Sequence, residues 1–242
     1  NWQDLEKVTA KKWLQKHYGL KTFQILWQPL LKGKFADQAD KISMAWFWAR
    51  IKKRSSSLGY LKGGFEVLIN KLAQEIKSKK NQIILNKEIK NTKKLQRDFD
   101  KTIITTPTQQ FFQTNLPPML GALTLILQLK QKFLTDSTYW LNINEKDFPF
   151  VVVVEHTNFI NPKYYANQHL LYVGGYYPQN HRFFKMKKEV ILKEFLPYLQ
   201  KINPRFNVSR HACQHVGITY HLSRSLYAQP IVPINHSQNL PS

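Results

Sequence analysis

Apolar residues recur at helical spacing over the first part of the chain. Over residues 1–60 they stand three and four positions apart, which predicts helices rather than strands. Thr9 is placed to cap one of these helices, because its hydroxyl can accept a hydrogen bond from a free backbone N–H. Further helices are predicted over 22–31 and 37–53, and the second of them carries aromatic residues on more than one side. We therefore expect a helical N-terminal lobe over residues 1–60.

The next region, residues 61–110, predicts one helix followed by a small β-meander. Gly63 and Gly64 precede a run of apolar residues at helical spacing that continues to Ile76. Short extended stretches follow this helix, with a polar loop between the last two. The extended stretches cover 82–85, 87–91 and 99–106.

Residues 111–242 predict a strand-rich region with one long helix. Ala122–Leu129 is apolar on both faces, which is typical of an interior strand. The helix is predicted over 186–202, where Pro197 is expected to kink or end it. The complete pattern predicts an α+β fold: a mixed or antiparallel sheet flanked by helices, with the helical lobe at its N-terminus. The remaining strands are predicted over 139–143, 150–155, 169–173 and 208–220, followed by a loop from 229 onward.

Composition narrows the class of protein. Aromatic residues make up 13% of the 242 residues, which is typical of a packed core. The longest apolar runs, 119–127 and 148–154, are shorter than the roughly 18–20 residues that a membrane-spanning helix needs. The first ten residues lack a secretory signal pattern. Because Cys213 is the only cysteine, no internal disulfide can form, and we expect a reducing, cytoplasmic location.

The chain is strongly basic, with 36 Lys and Arg against 15 Asp and Glu and a net charge of +21. The cations are dispersed, and no run reaches the roughly five consecutive charges that are typical of nucleic-acid-binding tails. Nucleic acid is therefore not the favoured partner, although a non-catalytic basic module for nucleic acid or an anionic surface stays as the alternative. An anionic small molecule or a peripheral membrane contact would also use this charge.

Candidate metal ligands are few. His211, Cys213, His215 and His221 form the densest group of metal-ligating residue types. The β-branched residues among them predict a strand, and no H-E-x-x-H pattern accompanies them. We therefore expect no metal site here, and histidines that lie on the surface or serve packing.

Glu155 and His156 are adjacent at the end of a predicted strand. A carboxylate close to an imidazole is typical of acid–base sites. Neighbouring strand residues point to opposite faces of the sheet, so a direct pair is not expected. We expect this strand end to face solvent or the rim of a pocket.

Two further features concern ligand binding. No two glycines are separated by a single residue, so neither the G-x-G-x-x-G pattern nor a P-loop occurs in this chain. Aromatic residues, Tyr172 and Tyr176 among them, are numerous enough to line a large apolar pocket. Such residues more often belong to the core, and the sequence leaves both interpretations open.

Several segments together resemble one superfamily. They are PLLKGKF at 29–35, DQADKISMAWFWAR at 37–50, LGYLKGGFEVL at 58–68 and FDKTIITTP at 99–107. In this order they are similar to the interior of the flavin-dependent oxidoreductases of the amine oxidase, protoporphyrinogen oxidase and phytoene desaturase superfamily. The later segments VVVVEHTNFI, HLLYVGGYY and YAQPIVPI also look like an uncharacterised bacterial branch of it.

The resemblance implies site residues of two kinds. The backbone of Ile89 would meet the adenine of FAD, and Thr105, Thr106 and Pro107 would lie near the dinucleotide. The substrate pocket would include Lys34, Phe35, Trp46 and Trp48. No catalytic acid or base is implied, because the flavin carries out the redox chemistry in this superfamily and the protein mainly positions the substrate.

The resemblance also sets an expectation for the whole protein. Its members begin with a G-x-G-x-x-G turn and end with a second glycine-rich segment, and this chain has neither pattern. The chain would be an internal fragment, mainly the substrate-binding domain, of an FAD-dependent oxidoreductase that moves hydride from a bulky apolar or amphipathic substrate to flavin. The fragment alone would be inactive. A related alternative is a flavin-dependent mutase that acts on a nucleotide sugar.

Overall fold

A computed structural model describes residues 1–106, 118–207 and 219–239, which form two compact units. Unit 1 comprises the described residues of 1–54 and 118–239, and unit 2 comprises 55–106. The predicted helical lobe and the predicted strand-rich region thus belong to one unit, because residues of both share a hydrophobic cluster.

Short helices form the N-terminal part of unit 1. The hydroxyl of Thr9 accepts a hydrogen bond from the backbone N–H of Lys12 at 3.2 Å, which confirms the predicted cap. A π-helical turn, Phe23–Trp27, makes the second predicted helix continuous from Leu20 to Phe35. The third begins later than predicted, because Ala36–Lys41 forms a 3-10 turn and Ser43 then caps the helix. The helices are α1 (Trp2–Glu6), α2 (Ala10–Tyr18), α3 (Leu20–Thr22), α4 (Gln28–Phe35) and α5 (Met44–Lys52).

The helices of this part enclose a first hydrophobic cluster. Phe23, Phe35 and Phe47 lie at its centre. Leu120 and Ile231, which come from the far part of the sequence, complete it. A backbone hydrogen bond of 2.9 Å from Ser43 N–H to the carbonyl of Val232 joins the same two parts of the chain.

One five-stranded sheet forms the rest of unit 1 in the described residues. Its order is β2-β3-β4-β1-β5, and every neighbouring pair is antiparallel. The strand predicted over 122–129 is confirmed as interior, since β1 lies between β4 and β5. The strands are β1 (Met119–Leu129), β2 (Trp140–Asn142), β3 (Val152–Glu155), β4 (His169–Tyr177) and β5 (Thr219–Pro230).

β5 differs most from its prediction. The predicted strand over 208–220 lies outside the described residues as far as 218, and the observed strand runs on to Pro230. Its segment 221–226 has mostly exposed polar side chains, because β5 is an edge strand with one face turned away from the core. Apolar Tyr220 and Leu222 alternate with polar His221 and Ser223, but the polar run of residues 223–225 interrupts the alternation that predicts strands.

The long helix of unit 1, α8 (Lys188–Ile202), covers one face of the sheet. Ile191, Phe195 and Leu199 are fully buried against alternate residues of the strands, and this contact forms the second hydrophobic cluster. Pro197 lies inside the helix without ending it.

Unit 2 contains two helices in its described residues, α6 (Phe65–Ser78) and α7 (Lys93–Asp98). The predicted meander is wrong: the described residues 82–92 and 99–106 contain no strand, and α7 occupies the predicted polar loop. No residue of α6 is buried, although its apolar residues stand at helical spacing. An isolated pair of extended segments gains little stability without a covered apolar face, which accounts for the absence of pairing.

Across the described residues, no helix combines the length and the apolar character that crossing a membrane requires.

Candidate functional site

The candidate site lies on the sheet face opposite α8. Leu123, Leu125 and Leu127 of β1 point toward α8 and are fully buried. The residues between them point to the other side, because side chains alternate along a strand. We call this other side the second face. It carries Ala122, Thr124, Ile126 and Gln128 of β1 with their cross-strand partners, and the β1 residues among them are half-buried.

Small residues occupy the middle of the second face. Thr124 pairs with Gly174 on one side and with Ser223 on the other, and Ala122 pairs with Ser225. Gly174 is required by the backbone, because a Cβ at this position would overlap the carbonyl oxygen of Leu123. We call Ala122, Thr124, Gly174 and Ser223 the small-residue patch.

Two tyrosines of β4 stand at the two ends of this patch. Tyr176 is opposite Ala122, and Tyr172 is opposite Ile126. They are four positions apart on one strand, so their Cα atoms are about 13 Å apart at about 3.3 Å per residue. The second face thus presents two half-buried aromatic side chains on either side of a low surface.

Lys34 of α4 contacts one of these tyrosines. Its Nζ lies 4.4 Å from the centre of the Tyr176 ring and 3.4 Å from the phenol oxygen. Gly33 faces β3, since a Cβ there would lie 3.7 Å from the Cβ of Val151. α4 therefore lies against the sheet and holds Lys34 at the Tyr176 end of the second face.

The other predicted pocket residues belong to the first hydrophobic cluster or pack against it. Phe35 has no exposed surface, so it supports the site from the core and does not line an open pocket. Its ring packs edge-on against the ring of Trp46 with 4.6 Å between centres. Trp46 and Trp48 are half-buried on the first hydrophobic cluster, and the guanidinium of Arg50 lies 6.0 Å from the Trp46 ring.

A buried histidine lies at the Tyr172 end. The Nε2 of His156 is 2.7 Å from the phenol oxygen of Tyr165, and the ring lies edge-on to Tyr172 with 5.4 Å between centres. Burial lowers the pKa of His156, because the charged imidazolium loses hydration. Burial therefore favours the neutral imidazole of His156, which shares a hydrogen bond with the phenol of Tyr165.

Glu155 is completely buried on the side of the sheet that faces α8, so the prediction of a strand end facing solvent is wrong for this residue. Its Oε2 accepts hydrogen bonds from the backbone N–H groups of Phe133 and Leu134 at 2.9 and 3.1 Å. Thr157 donates its hydroxyl hydrogen to Oε1 at 2.9 Å. Burial raises the pKa of Glu155, and these hydrogen bonds oppose the shift in part. Its role is to hold the chain after β1 against the sheet.

The same network fixes the tautomer of His169. The hydroxyl oxygen of Thr157 accepts from the Leu170 N–H and lies 3.1 Å from Nδ1 of His169. Because Thr157 gives its only hydrogen to Glu155, Nδ1 of His169 must be the donor. Burial lowers the pKa of His169, and the positive charge of Lys132 lowers it further.

Glu155 and His156 take part in separate hydrogen-bond networks, as the alternation of strand residues predicts.

The residues that the resemblance assigned to FAD lie in unit 2. Ile89 is half-buried, and Thr105 and Thr106 are exposed. Pro107 lies outside the described residues. Among the described residues, no backbone–backbone hydrogen bond joins residues 87–90 to another segment.

The predicted histidine cluster is largely outside the described residues, which include only His221 of its members. His221 is exposed on the second face opposite Ile126. Within the described part of the chain, no three His, Cys, Asp or Glu side chains are grouped as metal ligands would be.

Sequence reasoning placed Tyr172 and Tyr176 among many candidate aromatics and missed Thr124, Ser223 and the contact of Lys34 with Tyr176. The strand β1 could be recognised from the sequence, but the strands that pair with it could not. Lys34 and Tyr176 are 142 positions apart, and no local pattern links them.

Two solved structures share this fold. A candidate protoporphyrinogen oxidase from Exiguobacterium sp. 255-15 matches 96% of this chain with a TM-score of 0.66 and 14% sequence identity. A UDP-galactopyranose mutase in its reduced form matches 95% of it with a TM-score of 0.61 and 11% identity. At these identities the likeness concerns the fold. This chain spans 57% of the length of each of these proteins.

No protein-family model matches the chain. No curated protein matches it by sequence.

Proposed function

We propose that this chain is the substrate-binding part of a longer FAD-dependent oxidoreductase related to the amine oxidases. The observation that carries the proposal is the agreement of two independent comparisons. The sequence segments resemble a flavoprotein superfamily that includes protoporphyrinogen oxidase, and the fold is similar over almost the whole chain to a candidate member of that class. The fold likeness to a mutase concerns the second flavoprotein class that the sequence suggested.

The second face is the surface that receives the substrate in this proposal. The small-residue patch between Tyr172 and Tyr176 suits a bulky, flat and largely apolar molecule, because aromatic side chains pack well against such bodies. Bound FAD supplies the acceptor for a hydride from the substrate. The residues of this chain bind and orient the substrate and keep water from it, with Trp46 and Trp48 closing the site from the helical side.

The proposed cofactor residues fit one part of FAD. The half-buried side chain of Ile89 suits a contact with the adenine, and Thr105, Thr106 and Pro107 would lie along the dinucleotide. The pyrophosphate needs a glycine-rich turn at a helix start, a pattern that this sequence lacks. We propose that other residues of the longer protein supply this turn, and that the whole acts in the cytoplasm.

The test is the visible absorption spectrum of the longer natural protein as purified, before and after heat releases bound ligands. We expect a flavin spectrum and free FAD in the supernatant. A colourless protein that also takes up no added FAD would rule out the proposed function.

A second measurement concerns the fragment. We expect the 242-residue chain to bind added FAD weakly or not at all, and to oxidise no substrate. Tight one-to-one binding of FAD by this chain would contradict the division of the cofactor site.

The mutase is a second candidate, because the fold likeness to UDP-galactopyranose mutase covers almost as much of the chain. It differs from the oxidase in that its substrate is a nucleotide sugar and no net oxidation occurs. A saturable change of the flavin spectrum on addition of a UDP-sugar, without consumption of an electron acceptor, would favour the mutase over the oxidase.

A further inference from the structure

Lys34 and Tyr176 present hydrogen-bond donors that the described part of the chain does not use. A lysine ammonium has three N–H donors and no acceptor, so the phenol oxygen of Tyr176 must accept in their contact. The phenol hydrogen of Tyr176 is then free to donate elsewhere. In the described residues this contact uses one of the three N–H groups of Lys34, so the pair presents mainly hydrogen-bond donors to a ligand.

The charge of Lys34 is also uncompensated. Among the described residues, the lysines in ion pairs with carboxylates are Lys7, Lys11, Lys71 and Lys90, and Lys34 is not one of them. Lys34 is half-buried, so it has lost part of its hydration and has gained only the face of an aromatic ring. A partly desolvated cation without a counter-ion is stabilised strongly by an anion.

The position of this pair sets the shape of the ligand. Tyr176 is opposite Ala122, and the small-residue patch continues from there toward Tyr172. A ligand whose anionic end meets Lys34 can therefore lay a flat apolar body of about 10 Å along the second face, given strand spacing of about 3.3 Å per residue.

We propose that Lys34 and Tyr176 bind the anionic end, a carboxylate or a phosphate, of an otherwise apolar substrate that lies along the second face. This inference rests on the proposed function for the word substrate, but the binding site itself is testable without flavin. Lys34 selects for negative charge, and Tyr176 positions Lys34 and adds one donor.

The test uses three probes that share one flat apolar body: 2-naphthoate, 2-naphthyl phosphate and the neutral methyl ester of 2-naphthoate. Binding to the unchanged 242-residue chain is measured by calorimetry at low ionic strength. We expect both anionic probes to bind more tightly than the ester, and the tighter anion identifies carboxylate or phosphate as the preferred group.

Two substitutions separate the site from general surface charge. Lys34→Met removes the charge and keeps the length of the side chain. We expect it to weaken the binding of both anionic probes about tenfold, since a charge-assisted hydrogen bond contributes at least that much. The affinity for the neutral ester should change by no more than about twofold. The matched control is Lys32→Met, an exposed lysine of the same helix whose loss gives the same net charge, with an expected change below about twofold.

Two more variants complete the design. Lys34→Arg should keep most of the preference for anionic probes. Tyr176→Phe should weaken the binding of these probes by a smaller factor than Lys34→Met does. Thermal unfolding of each variant verifies that it is folded, and the arginine variant carries the test if the methionine variant is not.

The proposal is overturned if Lys34→Met and Lys32→Met weaken the binding of the anionic probes equally, or if no probe binds saturably at millimolar concentration. Its failure is distinct from failure of the proposed function. A flavin-containing longer protein whose anion preference ignores Lys34 would refute this inference alone, and a colourless protein with the Lys34-dependent preference would refute only the flavoenzyme.

Discussion

Two helices of almost equal length, α8 of unit 1 and α6 of unit 2, have different surroundings. α8 has 15 residues and buries Ile191, Leu192, Phe195 and Leu199, whereas α6 has 14 residues and buries none. Both are amphipathic, so their sequences predict the same kind of helix. The difference shows that an apolar stripe identifies a helix without determining whether the stripe is covered. Since most helical stability in proteins comes from packing of that stripe, α8 is expected to be far more stable than α6.

The largest expected effect is on amide hydrogen exchange. Amides of β1, an interior strand over a buried core, should exchange only on global unfolding, whereas those of α6 should exchange through local opening. We expect rates that differ by about a thousandfold or more, measured by mass spectrometry on the 242-residue chain. Equal protection of α6 and β1 would contradict the distinction between the two units.

The next effect concerns core side chains of the two helices. Leu199→Ala should lower the free energy of unfolding of unit 1 by about 2–5 kcal/mol, because it leaves a cavity beneath the sheet. Leu72→Ala on α6 is the matched truncation, and it should cost less than about 1 kcal/mol, because Leu72 is 54% exposed. Urea denaturation of both variants checks the pair, and a similar loss in each would show that α6 is packed after all.

A buried carboxylate makes the stability of unit 1 depend on pH. Burial holds the pKa of Glu155 above its ordinary value of 4.5, so the folded state binds its proton more tightly than the unfolded state does. The stability from this group is complete below pH 4.5 and is lost as pH rises through the folded pKa. Glu155→Gln should remove this dependence.

We expect Glu155→Gln to cost about 1–3 kcal/mol, because an amide nitrogen replaces one of the accepting oxygens. The difference in unfolding free energy between the two proteins, followed by denaturation from pH 4 upward, should become smaller as pH rises. A constant difference would mean that the pKa of Glu155 is the same in both states. His156 and His169 remain in both proteins, so their own titration cancels in the comparison.

The smallest effect concerns helix caps. The Ser43 hydroxyl accepts a hydrogen bond of 3.1 Å from the Ala45 N–H at the start of α5, whereas Gly64 caps α6 without a side chain. Ser43→Ala should lower stability by about 1 kcal/mol, and Gly64→Asn is not equivalent, because φ at Gly64 is +84°. Thermal unfolding of Ser43→Ala measures this effect, with the exposed Ser78→Ala as its control.

Local pattern predicted those elements that bury one face. The Thr9 cap, the interior strand β1 and the long helix α8 all follow from the spacing of apolar residues. The pattern failed in unit 2, where extended segments resemble strands but find no partner among the described residues, and in β5, whose Ser223 and Ser225 face away from the core.

The sequence suggested some residues of the candidate site, but it did not suggest the contacts between them. Lys34, Trp46 and Trp48 came from the resemblance, whereas the contact with Tyr176 depends on how α4 packs on the sheet. The burial of Glu155 was equally invisible, since its partners Phe133 and Leu134 donate through their backbone and carry no sequence signal. A local sequence pattern can reveal the contacts of a site only when one helix or strand supplies all of its side chains.

The first hydrophobic cluster also sets the order of events during synthesis. Phe23, Phe35 and Phe47 are translated before Ile231, which completes their cluster and leaves the ribosome nearly two hundred residues later. The nascent helices must therefore wait with aromatic surface exposed while unit 2 and the sheet are made. Contacts of such long range slow folding and expose the growing chain to aggregation, so these helices are a segment on which a chaperone would act during synthesis.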